Sequence, residues 1–299
     1  MGTQTASYPA PRRNANGGCL YLVSTPIGNL EDITLRALRV LKEVDFIACE
    51  DTRGTAKLLQ HYGIHKRALS YHEHNEVVRA AEIVLEMEEG ARVALVSDAG
   101  TPGISDPGDH LISLAIRHGI PIVPVPGATA FGAALMASGL PAHHFHFVGF
   151  LPARRTQRRK ALKQLKDEPG TLIFYEAPHR LAESLADMAA MLGDRYIVLA
   201  REVTKLHEEF LRGPLLRILS EVKKRPPKGE ITVLVAPADP EAWKQPARRE
   251  PSVRARVQRL QKQKGLDLKA ALKQVARQLG LSRSEAYRRL QEEKALAED

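Results

Sequence analysis

The sequence predicts an α/β protein built from two α/β domains and a small C-terminal helical domain. Apolar runs of strand length alternate with segments of helical spacing through the first half of the chain, and this alternation favours a mostly parallel, doubly wound sheet. Two strands predicted close together within 196–213 indicate an antiparallel or mixed sheet in the second half. The expected division is a disordered leader over 1–18, domains over 19–136 and 137–240, and a linker with a helix–turn–helix-like domain over 241–299.

The strands and helices of the first half follow from their periodicity and their end signals. Residues 93–96 are wholly apolar and bounded by turn residues, which is typical of a strand buried on both faces. Asp106 and Pro107 fit an N-cap followed by proline at the first helical position. Strands are predicted at 20–25, 46–49, 93–96 and 122–125, with helices at 33–44, around 57–60, at 77–89, from Pro107 to the turn at Gly119, and at 126–134.

The second half contains further strands and ends in two predicted helices. Residues 237–251 are rich in proline and arginine and are expected to form a linker. Beyond it, apolar spacing predicts helices at 268–279 and 282–290, and Ser282 with Glu285 forms a capping-box pattern. Such a helix pair occurs in DNA-binding proteins and also as a plain structural module, so both interpretations stay open. The strands are predicted at 145–150, 171–175, 196–200, 208–211 and 230–235.

Composition and charge exclude several functional classes. The 299 residues contain no apolar run long enough to span a bilayer, so no membrane role is expected. The leader lacks the apolar segment of a signal peptide. Cys19 and Cys49 give neither a disulfide framework nor a CxxC metal motif, which favours a cytoplasmic protein. Fifteen of the 44 lysines and arginines, but only eight of the 35 acids, fall within 241–299, and basicity concentrated in this way suggests a polyanionic partner such as nucleic acid.

The loop after the strand at 93–96 is the strongest candidate for a ligand site. It brings Gly100, Gly103, Asp98 and Asp106 together with two prolines within a dozen residues. In open α/β folds, ligands bind beyond the carboxyl ends of the strands, where loops of this kind lie. A plain connection between strand and helix is the alternative, but it does not require so many special residues.

Charged residues also follow the strand predicted at 46–49. Glu50, Asp51 and Arg53 lie at the carboxyl end of a buried strand, where packing does not require them, so they are candidates for lining a site. An N-cap for the next helix is the alternative. His72 and His74 are two residues apart with no third ligand at a suitable spacing, so we expect a polar loop beside the cleft and no metal site.

The segment 153–166 carries only basic charged residues. A run of this kind, with no acid among them, is a candidate phosphate-contacting surface. Its basic residues are Arg154, Arg155, Arg158, Arg159, Lys160, Lys163 and Lys166.

Nine sequence motifs run in order across residues 20–236. They are STPIGNLEDITLRAL from Ser24, EDTR from Glu50, HEHNE from His72, SDAGTPGISDPG from Ser97, VPGATA from Val125, FVGFLP from Phe147, YEAPHR from Tyr175, REVTKLHEE from Arg201 and GEITVLV from Gly229. Together they resemble the tetrapyrrole methylase superfamily of S-adenosylmethionine-dependent enzymes. Within it they look most like the branch of small-subunit rRNA (cytidine-2′-O)-methyltransferases, and the ordered set is far more specific than any one loop.

This resemblance implies two α/β domains of the tetrapyrrole methylase type (class III methyltransferases), with S-adenosylmethionine in the cleft between them, and a homodimer. The wider superfamily has a glycine-rich first loop, but residues 24–29 here contain a single glycine. That departure favours the rRNA branch and leaves open whether the loop contacts the methyl donor or shapes the acceptor side. The implied cofactor contacts are Asp98, Gly100, Thr101, Ile104, Ala128, Thr129, Tyr175, Ala200 and Ile231.

The implied reaction moves a methyl group from a sulfonium to the 2′ hydroxyl of a cytidine in ribosomal RNA, either free or within the small ribosomal subunit. Holding the hydroxyl in line with the methyl group supplies most of the rate gain, and Glu50, Asp51 and His72 are candidates for the proton acceptor. A surface ion pair is the alternative for several of the expected substrate contacts, notably Arg201 with Glu202. Those contacts are Arg53, Asn75, Arg154, Arg155, Arg158, Arg159, Arg201 and Lys205.

Two other functions stay open at this point. A small-molecule methyltransferase of the same superfamily would share the cofactor pocket, but it gives no reason for the basic run at 153–166 or the basic C-terminal segment. A non-enzymatic nucleic-acid-binding protein that acts through the C-terminal helices leaves the loop at 98–109 and the charged residues at 50–53 unexplained.

Overall fold

The computed structural model describes residues 16–239 and 252–295. The chain separates into two compact units, one within residues 1–243 and a smaller one within 244–299. Nearly all of the predicted leader and most of the predicted linker lie outside the described residues. Within the described ranges, no helix has the length and apolar character needed to cross a membrane.

The first half of the larger unit forms a five-stranded sheet in which every pair of neighbours is parallel, so the predicted doubly wound sheet is confirmed. The strand order is 3-2-4-1-5 in chain order. The strands are β1 (Cys19–Val23), β2 (Phe46–Cys49), β3 (Arg67–Ser70), β4 (Arg92–Val96) and β5 (Ile122–Val125), and the helices are α1 (Leu35–Glu43), α2 (Thr52–His61), α3 (Glu76–Glu88), α4 (Asp109–Arg117) and α5 (Ala130–Ser138).

Helices cover both faces of this sheet. On one face Leu41 of α1 packs in a cluster with Ile47 of β2. On the other, Ile83 of α3 and Leu111 of α4 pack in a cluster with Leu95 of β4. Burial of large aliphatic side chains contributes about 1.5–3 kcal/mol each, so these layers hold the strand ends, and the loops after them, in fixed positions.

In this half, sequence reasoning missed one strand and placed the starts of α4 and α5 too early, α5 by four residues. The strand β3 was not predicted, because it is a short edge strand whose side chains are only partly buried and show no clear alternation. The helix α4 begins two residues later than expected: Gly108, with φ of 155°, occupies the N-cap position. Asp106 is therefore not an N-cap, and its carboxyl group is left to face a cavity.

The second half forms a mixed sheet of strand order 6-7-10-8-9. The first pair of strands is parallel and the other three pairs are antiparallel, as the spacing of the strands predicts. The strands are β6 (Phe145–Phe150), β7 (Thr171–Glu176), β8 (Tyr196–Arg201), β9 (Glu209–Pro214) and β10 (Ile231–Val235), and the helices are α6 (Arg155–Gln164), α7 (Leu181–Leu192) and α8 (Leu215–Lys224).

The small residues of α5 are explained by its place in the fold. Ala134 and Leu135 pack against Ile173 and Ala200 of the second sheet, in one buried cluster with Ile27 from the first half. Small side chains on this helix allow it to lie close to the strands. The cluster therefore packs α5 and the turn after β1 against the second sheet.

The smaller unit contains three helices among its described residues, α9 (Val253–Lys264), α10 (Leu268–Leu279) and α11 (Arg283–Ala295). Their contact is a small apolar cluster that includes Val257, Val275 and Leu290. The helix α9 was not predicted, because its sequence is mostly basic and polar. Only the N-cap half of the predicted capping box is observed: the Ser282 hydroxyl accepts from the amide of Glu285 at 3.2 Å, while the Glu285 carboxylate pairs with Arg289 at 2.9 Å.

Candidate active site

A cavity of about 460 Å³, called here the first cavity, lies at the carboxyl ends of β2 and β4 and faces the second sheet. This size falls within the range of small-molecule sites. The first half of the chain contributes Glu50, the loop after β4 and the turn before α5. The second half contributes the end of β7 and the start of β10, which lie at the same edge because those two strands are antiparallel.

The loop after β4 is held in shape by the turn after β1. The amide of Thr25 donates to the carbonyl of Gly100 at 2.7 Å, and the amide of Gly100 donates back at 3.2 Å. The hydroxyls of Ser24 and Thr101 are 2.8 Å apart. Gly100 has φ of 93°, in the left-handed region that favours glycine, so this position exposes backbone to the first cavity without a side chain in the way.

The charged residues that line the first cavity are all acidic, among the described residues. They are Glu50, Asp98, Asp106, Glu176 and Glu230. Burial raises the pKa of Glu50, and the negative charge of Asp98 adds to this effect. Burial likewise raises the pKa of Asp106 to about 6, with Glu50 as the next cause. A group of like charges that shift one another's pKa in a cavity is typical of a ligand site, and here it favours a cation.

Asp98 and Glu176 have hydrogen-bond partners within the protein, and Glu230 has an ion-pair partner in Lys205 at 3.2 Å. The amide of Asp51 donates to Asp98 at 3.0 Å. The Glu176 carboxylate accepts from the amide of Ala177 at 2.9 Å and from the hydroxyl of Ser184. These hydrogen bonds orient Asp98 and Glu176, so their positions in the first cavity are fixed before any ligand arrives.

An aromatic group closes one side of the first cavity. The ring of Tyr175 lies 5.0 Å from that of Phe147 and 5.6 Å from that of Phe150. Its hydroxyl accepts from the amide of Phe131 at 3.2 Å, and burial raises its pKa. Tyr175 therefore supplies an apolar face and a fixed orientation rather than a titrating group.

Seven of the nine residues expected to contact the cofactor line the first cavity. Ala128 lies just behind it, where its carbonyl accepts from the Thr101 hydroxyl at 3.4 Å. Ala200 of β8 does not line it, because its side chain is buried in the cluster with residues of α5. The seven are Asp98, Gly100, Thr101, Ile104, Thr129, Tyr175 and Ile231.

The three expected proton acceptors are separated by the structure. Glu50 lines the first cavity. Asp51 caps α2, since its side chain accepts from the amide of Arg53 at 2.9 Å, and it also pairs with the exposed Arg53 guanidinium at 3.2 Å. His72 lies outside the cavities described here, where its amide donates to Asn75 at 2.9 Å and the two side chains meet at 3.4 Å. Asp51 thus caps a helix, and the side chain of Asn75 closes the turn at His72.

A second cavity of about 360 Å³ adjoins the first, and both are lined by Ile27, Asp98, Ala99 and Glu230. Its other walls come from the turn after β1, from the first turns of α2 and from Lys205. The ammonium of Lys205 pairs with Glu202 at 3.0 Å and with Glu230 at 3.2 Å.

The ion pair between Arg201 and Glu202, the alternative to a substrate contact, is not the one observed. Arg201 pairs instead with Glu209 on the neighbouring strand at 3.1 Å. Glu202 has φ of 51°, and this turn directs its carboxylate to Lys205. Arg201 therefore belongs to a cross-strand pair, while Lys205 is the expected substrate contact that reaches a cavity.

Only part of the basic run on α6 is exposed: Arg154, Arg155, Lys160, Lys163 and Lys166 are exposed, whereas Arg158 is buried. The guanidinium of Arg158 is buried and pairs with Asp187 of α7 at 2.8 Å, and it also donates to the carbonyl of Ala153. Arg155 and Arg159 reach the same carboxylate at 3.3 and 3.6 Å. The prediction is wrong for Arg158, because the acid that neutralises it lies outside the run; Arg154 remains exposed at the start of the helix.

The described residues contain no group of His, Cys, Asp and Glu side chains placed to hold a metal ion. The residues that sequence reasoning did not assign to the site are Asp106, Glu176 and Glu230. Two signals were present: Glu176 directly follows a strand, and Glu230 directly precedes one. Only the antiparallel pairing of β7 with β10 brings both to the edge where the first sheet ends.

Two sheets whose edges meet at a cavity of loops, small residues and carboxylates define a class of α/β protein that binds a small ligand in a cleft. Residues 19–218 match the sequence model of the Tetrapyrrole (Corrin/Porphyrin) Methylases, and the chain belongs to this family.

Several relatives carry the name Ribosomal RNA small subunit methyltransferase I. The protein of this name from Halalkalibacterium halodurans is 52% identical over 218 residues, which cover 73% of this chain and 75% of that protein. The one from Synechocystis is 45% identical over 271 residues and covers 90% of this chain and 96% of its own. The one from Escherichia coli O157:H7 is 52% identical over 221 residues, covering 73% and 77%.

Solved structures show the same fold at lower identity. The methyltransferase CobJ matches with a TM-score of 0.58 at 22% identity, over 74% of this chain and 95% of that one. Uroporphyrin-III C-methyltransferase from Thermus thermophilus, complexed with S-adenosyl homocysteine, matches with a TM-score of 0.52 at 22% identity, over 73% and 97%. These likenesses confirm the predicted fold, with two α/β sheets and additional C-terminal helices.

Proposed function

We propose that this protein is an S-adenosylmethionine-dependent methyltransferase that methylates the 2′ hydroxyl of a cytidine in small-subunit ribosomal RNA. The family and the relatives named as small-subunit rRNA methyltransferases, about half identical to this chain, support the reaction class and the RNA. The observation that carries the proposal is the first cavity, where the expected cofactor residues meet. The partner is ribosomal RNA or the small ribosomal subunit.

The residues of the first cavity fit this donor. S-adenosylmethionine supplies an electrophilic methyl group on a positively charged sulfur. Glu50, Asp98 and Asp106 surround the cavity with negative charge, which stabilises a bound cation. Tyr175 provides an apolar face, and the backbone around Gly100 and Thr129 is accessible for hydrogen bonds. The carboxylates favour the charged donor over its uncharged thioether product, so they support binding of the one and release of the other.

The chain's contribution to the transfer is to hold the acceptor hydroxyl in line and to remove its proton. Positioning within a closed cleft replaces a bimolecular encounter by an intramolecular one. Glu50 accepts the proton, since it is the expected acceptor that lines the first cavity and since its raised pKa makes it a stronger base than an ordinary glutamate. Asp51 caps α2, and the side chain of Asn75 closes the turn at His72.

The resemblance also leads us to propose a cytoplasmic homodimer. The helices α3 and α4 expose several large apolar side chains, including Val78, Leu85 and Ile116. Surface of this kind is available to a partner copy.

The test of the function is transfer of labelled methyl groups from S-adenosylmethionine to small-subunit rRNA, followed by mapping of ribose methylation. Purified wild-type protein is expected to label one cytidine ribose. Label on a small molecule but on no ribosomal RNA would contradict the proposal.

The test of Glu50 is the Glu50→Gln variant. We expect its kcat to fall by about 10²–10⁴-fold, the usual contribution of a positioned base, while calorimetry shows that S-adenosylmethionine still binds. Glu89→Gln, an exposed change on the C-cap of α3, is the matched control and keeps wild-type turnover. A fully active Glu50→Gln variant would remove Glu50 from the mechanism.

A further inference from the structure

The second cavity opens where an acceptor group has to arrive. The reacting oxygen has to approach the donor methyl in line, at about 3–3.5 Å, so the acceptor site has to adjoin the first cavity. The second cavity does so through their shared wall, which includes Asp98 and Glu230. Its volume of about 360 Å³ suits one nucleotide rather than a stacked helix, and enzymes that modify a nucleotide commonly take it out of the stack.

The charge of the second cavity differs from that of the first. Lys57 and Lys205 line it beside Asp98 and Glu230, whereas the charged residues lining the first are all acidic in the part of the chain that the structure describes. A phosphodiester anion is attracted by lysines, while a sulfonium is attracted by carboxylates. The two lysines of the second cavity offset the charges of Asp98 and Glu230, so a phosphodiester anion is repelled less there than in the acidic first cavity, which suits the sulfonium.

Both the aliphatic part and the ammonium group of the Lys205 side chain contact neighbouring residues. Its stem lies against Gly28, where an added Cβ would come within 2.2 Å of the Lys205 Cγ, and Gly28 has φ of 150°. Its ammonium lies between Glu202 and Glu230. Burial lowers the pKa of Lys205, but the bonds to Glu202 and Glu230 outweigh it and leave the pKa above its usual value. Lys205 is therefore a fixed, protonated hydrogen-bond donor.

A second observation points to the same cavity. Gly54 lies inside α2 and lines the second cavity, yet a Cβ added there would have no atom within 4 Å. Alanine is the better helix former at such a position, and no contact within the described chain requires glycine. A ligand that lies against this turn of α2 would explain why residue 54 is a glycine.

We propose that the second cavity is the subsite for the acceptor nucleotide, and that Lys205, seated on Gly28, binds the sugar–phosphate backbone of that nucleotide beside Glu230. This inference rests on the proposed function. The proposal also assigns a role to the turn after β1. This turn lines the acceptor side, and its single glycine, Gly28, leaves room for the side chain of Lys205, which binds the RNA.

The first experiment compares Lys205→Met and Lys205→Arg with Lys224→Met, a remote exposed lysine of α8. Each protein is assayed for its melting temperature, its affinity for S-adenosylmethionine, and kcat and KM with small-subunit rRNA. Loss of one charge-assisted hydrogen bond is expected to lower kcat/KM for RNA about tenfold to a hundredfold in Lys205→Met, mainly through KM. Donor affinity is expected to stay unchanged, and Lys205→Arg is expected to recover most of the loss.

The second experiment tests the cavity without Lys205. Gly54→Leu adds a helix-favouring side chain that projects into the second cavity, and Gln60→Leu adds the same side chain to α2 outside it. We expect only Gly54→Leu to raise KM for RNA by at least tenfold, with donor affinity unchanged.

Two outcomes would overturn the subsite. One is wild-type kinetics with RNA in both Lys205→Met and Gly54→Leu. The other is a parallel loss of donor affinity, which would place these residues at the donor. A wild-type protein that binds S-adenosylmethionine but methylates no ribosomal RNA would overturn the proposed function itself, and the acceptor subsite with it.

Discussion

Two charged clusters of this protein differ in how the fold treats them. On α6, the guanidinium groups of Arg155, Arg158 and Arg159 surround the buried carboxylate of Asp187 at 2.8–3.6 Å. In the first cavity, carboxylates face one another, and the cavity lining among the described residues contributes no lysine or arginine. The first cluster has its counter-charges within the chain, whereas in the second Glu230 pairs with Lys205 and Glu176 lies 3.7 Å from Arg180, and Glu50 and Asp106 have raised pKa values. Charge density in a sequence therefore indicates a ligand site only after its partners are known.

Breaking the α6 cluster gives the largest expected effect on stability. Arg158→Met leaves Asp187 buried without its closest partner, and loss of one member of a buried pair costs about 3–5 kcal/mol. Urea unfolding of the full chain, followed by circular dichroism, measures this loss.

Two further variants separate pairing from packing at this cluster. Arg155→Met removes an exposed guanidinium from the same carboxylate and is expected to cost less than about 1 kcal/mol. Arg158→Met with Asp187→Leu is expected to recover most of the stability, because no buried charge then stays unpaired. Equal losses from Arg155→Met and Arg158→Met would contradict this account of the cluster.

The same contrast explains which parts of the molecule could be predicted. The parallel sheet follows from apolar strand runs that alternate with helices, and the loop at Asp98 and Gly100 stands out because it adjoins such a run. The partner of Arg158 could not be found in this way, since Asp187 lies on another helix. The position of Glu230 could not be predicted either, because it depends on the antiparallel pairing of β10 with β7.

Local propensity fails where tertiary contacts decide. The edge strand β3 has side chains that are at most partly buried and show no clear alternation. In α9 only Val253, Val257 and Leu260 mark the apolar face among basic and polar residues, and this short pattern follows directly on the expected linker. Asp106 with Pro107 looks like a helix start, but Gly108 takes the N-cap position, and the acid faces the first cavity instead. Because Asp106 was interpreted as a helix N-cap, it was not assigned to the candidate site.

Neutralising a carboxylate of the first cavity is expected to change ligand affinity more than stability. Asp98→Asn keeps an oxygen that can accept from the amide of Asp51 but removes one charge. We expect the affinity for S-adenosylmethionine to fall about tenfold, a difference of about 1.4 kcal/mol, and the affinity for S-adenosylhomocysteine, whose sulfur is uncharged, to fall much less. Calorimetry with both ligands measures the ratio. Asp109→Asn, on α4 outside the first cavity, is the control, and an equal loss for both ligands would mean that charge is not what Asp98 contributes.

The smallest expected effect, and the most specific to like charges in a cavity, is the pH dependence caused by Asp106. Burial, with Glu50 as the next cause, raises its pKa to about 6 in the folded protein from the ordinary value of 3.8. Above pH 3.8 the unfolded chain loses this proton while the folded protein keeps it, so the group's contribution to the free energy of unfolding falls as the pH rises towards about 6 and is constant above that. Because Asp106 is partly exposed, we expect a total change of about 1 kcal/mol rather than the full value of the shift.

Asp106→Asn removes this titration. We measure the free energy of unfolding of both proteins in urea from pH 4.5 to 7.5. The difference, variant minus wild type, is expected to increase as the pH rises and to become constant above about pH 6. All other titrations are common to both proteins and cancel in the difference. Since Glu50 is the nearest cause after burial, the gain is expected to shrink when both proteins also carry Glu50→Gln. Parallel curves for Asp106→Asn and wild type would contradict the raised pKa of Asp106, and an undiminished gain in the Glu50→Gln background would contradict the contribution of the Glu50 charge.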